Sequence, residues 1–214
     1  MLGGMAHPGK TLREIMAELD DLRARADASF ARVAAEHPQA VACRPGCDDC
    51  CHALFDLSPA EALSLALGFL DLPRQARREI LRRGEKAAQL FDQAMATAFA
   101  QTGEARMRAL SAARVPCPLL EAGRCQLYIR RPLTCRLYGV PQNIEGVARI
   151  CHRARFEPGQ TYPTVDMLRV QMELERLGGL TAYYVPSLAN ARRDVARSLA
   201  LAASHAPILR ALKV

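Results

Sequence analysis

Residues 41–61 read Val41-Ala42-Cys43-Arg44-Pro45-Gly46-Cys47-Asp48-Asp49-Cys50-Cys51-His52-Ala53-Leu54-Phe55-Asp56-Leu57-Ser58-Pro59-Ala60-Glu61. Two kinds of local signal meet in this stretch. The first half gathers four cysteines around a Pro-Gly turn. The second half is a helix start: Ser58 as N-cap, Pro59 in the first turn, and Glu61 three residues after the cap. A cysteine loop feeding directly into a helix sets the pattern for the whole chain.

Upstream, Leu12, Ile15, Met16, Leu19, Leu22, Ala26, Phe30 and Val33 recur at three- and four-residue steps, which predicts an amphipathic helix over 11–37. Thr11 with Glu14 can form a capping box, and His37-Pro38 ends the helix. Downstream, the helix opened by Ser58 should run to about Leu70. A second follows Pro73 to about Thr102, its buried stripe marked by Ile80, Leu81, Ala87, Phe91, Met95, Ala98 and Phe99, with Gly84 as a weak point. A shorter continuation covers Gly103 to Ala113.

From Val115 to Phe156 the helical period is lost, and Pro, Gly and Cys cluster. Short strands are expected at 124–127 and in a hairpin of 138–142 with 147–153 around Glu145-Gly146. A helical turn after Arg131-Pro132 carries Cys135. Helices resume at 164–176, stopped by Gly178-Gly179, and at 187–204. The fold class is therefore mainly α: a helical scaffold of 11–37, 58–113 and 164–204, with a small cysteine-rich lobe of 41–56 and 115–156 containing minor β structure. The 214 residues read as a single domain. Neither cysteine segment looks able to bury itself, so the two are expected to meet.

Composition narrows the function. The net charge of +7 is carried almost wholly by Arg and is interleaved with Asp and Glu. No dense basic run or repeated aromatic–basic pattern appears, which weighs against nucleic acid as a partner and leaves an unidentified protein partner. No export signal or apolar run of about 20 residues is present, so a cytoplasmic, reducing location is expected. Eight cysteines there point to metal rather than disulfides.

The candidate metal ligands are Cys43, Cys47, Cys50 and Cys51 in the first segment, and Cys117, Cys125, Cys135 and Cys151 in the second. Polarisable, anionic thiolates suit iron–sulfur clusters and zinc. Cys47 and Cys50, two residues apart, can share one centre. The adjacent Cys50 and Cys51 suit either a bridge between two metals or one ligand with a spare thiol. Arg44, Arg124 and Arg136 each adjoin a cysteine, and Arg153 follows Cys151 by two. Arg44 and Arg136 are candidates to contact the bound group and offset thiolate charge. Zinc sites usually show two Cys-x2-Cys knuckles, and only one is present. The three-then-two spacing of Cys43, Cys47 and Cys50 also occurs in radical-SAM enzymes, whose alternating strand–helix pattern is absent here. An iron–sulfur cluster, [4Fe–4S] in the first instance, is thus favoured over Zn2+. His52 and His152 follow cysteines and are candidate ligands or supporting donors. Asp48 and Asp49 are read as acceptors of backbone amides in the turn, Glu61 as a cap, and Tyr128 and Tyr138 as cover for the lobe.

Cys43 to Cys51 resembles the Cys-x2-Cys-x2-Cys-Cys cluster of the zinc- or iron-chelating cysteine-cluster proteins. Pro116-Cys117-Pro118-Leu119, Gly123-Arg124-Cys125, Tyr128, Arg131-Pro132 and Cys135-Arg136 resemble that family's second signature, and Cys151 its trailing cysteine. This chain departs in having three residues, not two, between Cys43 and Cys47. The resemblance implies metal binding. One related branch is linked to lysine N-methylation of flagellin, which would make the chain a cluster-dependent enzyme modifying a protein side chain. A structural zinc lobe on a protein-interaction module is the third possibility.

Overall fold

The computed structural model describes residues 9–144, 146–188 and 193–212. Eight α-helices lie among them: α1 Leu12–Glu36, α2 Pro59–Asp71, α3 Arg74–Phe99, α4 Gly103–Ala112, α5 Leu133–Leu137, α6 Met167–Tyr184, α7 Val195–Ser204 and α8 Ala206–Ala211. The protein is mainly α, as its composition implies.

Helix α2 is the centre. Ten of its thirteen residues are buried, from Ala60 to Leu70. A helix apolar on every side has to be surrounded, and α1, α6, α7 and α8 all pack on it. Both expected capping boxes form, Thr11 with Glu14 on α1 and Ser58 with Glu61 on α2. On α1, Leu12, Ile15, Met16, Leu19, Leu22, Ala26 and Val33 turn inward.

Several elements differ from the sequence expectation. Helix α6 does not stop at Gly178-Gly179 but continues to Tyr184. Glycine within a helix costs about 1 kcal/mol against alanine. Contact with α2 explains its presence: a Cβ at Gly178 would lie 2.8 Å from Pro59 Cδ, so only glycine allows this approach. Gly84 likewise leaves α3 unbroken and faces Ala196 on α7. The apolar stripe of α3 is buried only at Ile80, Ala87 and Ala98, and Phe99 is exposed with Arg106 stacked over its ring. The expected helix 187–204 begins instead at Val195, with Asp194 as N-cap. Pro186–Leu188 is a 3-10 turn, and residues 189–192 lie outside the described set.

Two small sheets complete the described structure. Strands β1 Leu120–Glu121 and β2 Arg124–Cys125 form a hairpin. Its turn residues Ala122 and Gly123 both have positive φ, the two-residue turn that matches strand twist. Strand β3 Gln142–Ile144 pairs antiparallel with β4 Val147–Arg149 and parallel with β5 Val165–Asp166. The expected hairpin is present but shorter: Tyr138 to Pro141 stay outside its first strand. Glu145, at its turn, lies outside the described residues.

Candidate metal centre

The two cysteine segments are stitched together by their backbones. Cys47 N–H donates to the Arg44 carbonyl at 2.9 Å across the Pro-Gly turn, where Gly46 takes a positive φ. A 3-10 turn over Asp49–His52 follows. Its residues bond directly to the second segment: Cys117 N–H donates to the Cys51 carbonyl at 2.7 Å, and Val115 N–H to the His52 carbonyl at 3.0 Å. Farther on, Arg155 N–H donates to the Ala40 carbonyl at 2.8 Å. Backbone hydrogen bonds thus fasten the 3-10 turn of the first segment to residues 115–117 of the second.

All eight cysteines line one cavity of about 540 Å³, and none forms a disulfide. Cys43 is exposed, Cys151 buried and the rest half-buried. Cys125 comes from the β1–β2 hairpin and Cys135 from α5. Phe30, Leu119, Tyr128 and Tyr138 make much of the remaining wall. The Cys43 sulfur lies 2.2 Å from where a Cβ at position 139 would stand, so Gly139 is required for the thiol to face the cavity.

Each thiol's chemistry follows from its neighbours. Although Cys43 as a residue is exposed, its sulfur packs against Gly139, and burial of that sulfur first, then adjacent thiols, push it up to about 12. Burial also raises Cys117 to about 12, Cys151 to about 11, and Cys125 above its ordinary value. Cys51 and Cys135 are raised chiefly because each donates to Cys50. Cys50 is lowered, because Cys135 and Cys51 donate to its thiolate and Arg131 stands near. Cys50 is thus the cysteine whose thiolate its surroundings favour, while Cys51, Cys117, Cys125 and Cys135 hold their protons more tightly. Crowded thiolates repel one another, and a cation is what lets them ionise together. The mutual interactions join Cys50, Cys51, Cys117, Cys125 and Cys135 into one group spanning both segments. Cys43 interacts with Cys47 and Cys151 and also with Cys50, which links these three to the same group.

The charges are arranged around Asp49, which is 1 % exposed. Its carboxylate accepts from Arg114 Nη2 at 2.6 Å and from the Cys151 thiol at 3.2 Å. His152 Nδ1 stands 3.4 Å away and Arg153 Nε 3.5 Å away. Burial pushes this carboxyl up, but the thiol, Arg114 and His152 together outweigh it and hold the pKa below its ordinary value. Asp49 is thus a buried charge hub rather than the acceptor of turn amides that the sequence suggests. Arg44, Arg124 and Arg136 all line the cavity, and the Arg136 guanidinium is also held by Asp27 and by the Arg131 and Ile129 carbonyls. Arg131 stacks 4.0 Å over the Tyr128 ring. His52 Nδ1 is 3.1 Å from the Asp48 carbonyl.

Glu61 does more than cap α2. Its Oε2 accepts from Ser58, while Oε1 accepts from Leu133 N–H at 2.9 Å, at the start of α5. It is 3 % exposed, and burial raises its pKa against the pull of those donors. One carboxyl thereby ties the central helix to the short helix that carries Cys135. The partner lies 72 residues away, beyond any local signal. Arg114 and Gly139 also carry no local mark of their role.

Fold and site together define a class: a helical scaffold bearing a thiol-lined, metal-binding lobe. A family model for CxxCxxCC, described as a "putative zinc- or iron-chelating domain", matches residues 42–152, a little over half of the chain. The chain belongs to this family. The matched span begins one residue before Cys43 and ends one after Cys151, so it holds every cysteine. No curated protein and no solved structure matches the chain. Among the described residues no helix is long and apolar enough to cross a membrane.

Proposed function

We propose that this chain is an iron–sulfur protein, with one polynuclear cluster held in the cavity by thiolates drawn from Cys50, Cys51, Cys117, Cys125 and Cys135. One observation carries this reading over a zinc lobe. A tetrahedral zinc with sulfur at about 2.3 Å brings its thiolates to about 3.8 Å of one another. Among the described residues no three thiols lie mutually within 4.8 Å, although eight line the same cavity. A cluster interposes its own iron and sulfide between the cysteines, so it needs thiolates that are spread around a void. The donor set fits as well, since Cys thiolates are the usual ligands of such clusters. The apolar wall limits water around the group, which would protect a cluster in a redox, metal-delivery or structural role. The exposed end at Cys43, flanked by Arg44, is where an acidic protein partner would approach.

Anaerobic purification tests this directly. The expected result is iron and acid-labile sulfide in equal amounts and a broad absorbance at about 400 nm. Cys50→Ala should lose most of both. A colourless protein with stoichiometric zinc and no sulfide would overturn the reading.

A further inference from the structure

One set of ligand atoms draws on two residues of the cavity wall, Asp49 and Cys151, and adds a third from outside it, His152. Among the described residues, the Asp49 carboxylate, the Cys151 thiol and the His152 imidazole are the only three potential metal-ligating groups with atoms all within 4.8 Å of one another. The geometry points to a second, mononuclear zinc site at the cavity rim, formed by Asp49 Oδ2, Cys151 Sγ and His152 Nδ1, with its fourth position open to water. This inference does not depend on what fills the cavity.

The distances favour zinc. Tetrahedral zinc with oxygen, nitrogen and sulfur ligands sets O···S at about 3.6 Å and O···N at about 3.4 Å. Asp49 Oδ2 already lies 3.2 Å from the Cys151 sulfur and 3.4 Å from His152 Nδ1. Only the sulfur–nitrogen edge has to close, from within 4.8 Å to about 3.6 Å. The imidazole can make that movement, being 66 % exposed on its outer side.

The supporting contacts leave the right oxygen available. Arg114 takes Oδ1 at 2.6 Å and Arg153 approaches the same oxygen at 3.5 Å. They fix the carboxylate and leave Oδ2 facing the thiol and the imidazole, the outer support that orients metal ligands. Charge closes as well. Zinc displaces the Cys151 thiol proton to solvent. Carboxylate, thiolate and neutral imidazole then bring two negative charges to a dication. Sulfur and imidazole exclude magnesium and calcium as preferred occupants. Three protein ligands with an open position describe an exchangeable or reactive zinc, unlike a closed structural site.

The test uses the full chain with its cavity loaded anaerobically. It is titrated with zinc chloride against a chromophoric chelator. The expected result is one equivalent of zinc per chain beyond the cavity's content. His152→Ala should weaken that equivalent at least tenfold, with iron, sulfide and the helical circular dichroism unchanged. Cys151→Ser should weaken it likewise. No uptake by the wild type, or wild-type affinity in His152→Ala, would overturn the inference. If the cavity takes zinc instead of a cluster, the cluster reading fails. The one-equivalent difference between wild type and His152→Ala still decides this one.

Discussion

Helix α2 and the 3-10 turn at Asp49–His52 are close in sequence, yet different forces hold them. Helix α2 is held by apolar burial from every side: Leu63, Leu65 and Phe69 are almost wholly removed from water. Such contacts are non-directional and additive, and need no ligand. The turn has few apolar contacts of its own. It is held by two backbone bonds to residues 115–117 and by a buried carboxylate shared among cations and a thiol, against the repulsion its sulfurs would feel when ionised. The scaffold is packed through apolar contacts along its helices. The lobe is shaped around something that must bring positive charge.

The largest separation of the two regions should come from pH. The raised thiols of Cys117 and Cys151 hold their protons at neutral pH, and metal has to displace them. Raising the pH removes that competition. Apparent metal affinity should therefore rise by roughly tenfold per pH unit for each proton displaced. The rise should continue toward the thiol values of about 11 to 12. A chelator competition between about pH 6 and pH 9 reads this. A flat profile would mean the thiols are not the ligands.

The next effect should fall on the scaffold alone. Phe69→Ala, at a site 1 % exposed, should cost about 3–5 kcal/mol in a denaturant titration. Metal content per folded chain should stay unchanged. Loss of metal in step with stability would show that the two regions are not separable.

Glu61→Ala is the change that should cross between them. It removes the α2 capping box and leaves the Leu133 N–H buried without its acceptor, which should cost about 2–4 kcal/mol. It should also lower metal occupancy, because α5 carries Cys135. Metal analysis of the refolded variant checks the second effect, which a cap alone would not produce.

The smallest effect on stability should come from Gly139→Ala, about 1–3 kcal/mol for overpacking. Its consequence should be local. The new methyl would occupy the place of the Cys43 sulfur, so that thiol should swing outward and alkylate faster than in the wild type. Peptide mapping after a short pulse of alkylating reagent reads this residue by residue.

Much of this was legible in the chain. The two capping boxes, the break at His37-Pro38 and the five-residue helix at Cys135 depend on residues within a turn of one another. Local chemistry specified them, and they formed. Gly178 departs from expectation because its signal is also local: two glycines usually end a helix, and only the approach of Pro59 from another helix explains why they do not. Asp49 looks like a turn acceptor in sequence for the same reason. Its partners Arg114 and Cys151 are 65 and 102 residues away.

The sequence by itself determined the helical scaffold, the inventory of eight thiols and the family to which their order belongs. Period, caps and cysteine spacing are short-range properties that survive without a fold. Only the tertiary structure decided that the eight thiols, from segments far apart in the chain, line one cavity. It also placed a carboxylate, a thiol and an imidazole together at the rim. Those are distances between side chains brought together by packing, and nothing in the linear order of residues encodes them directly.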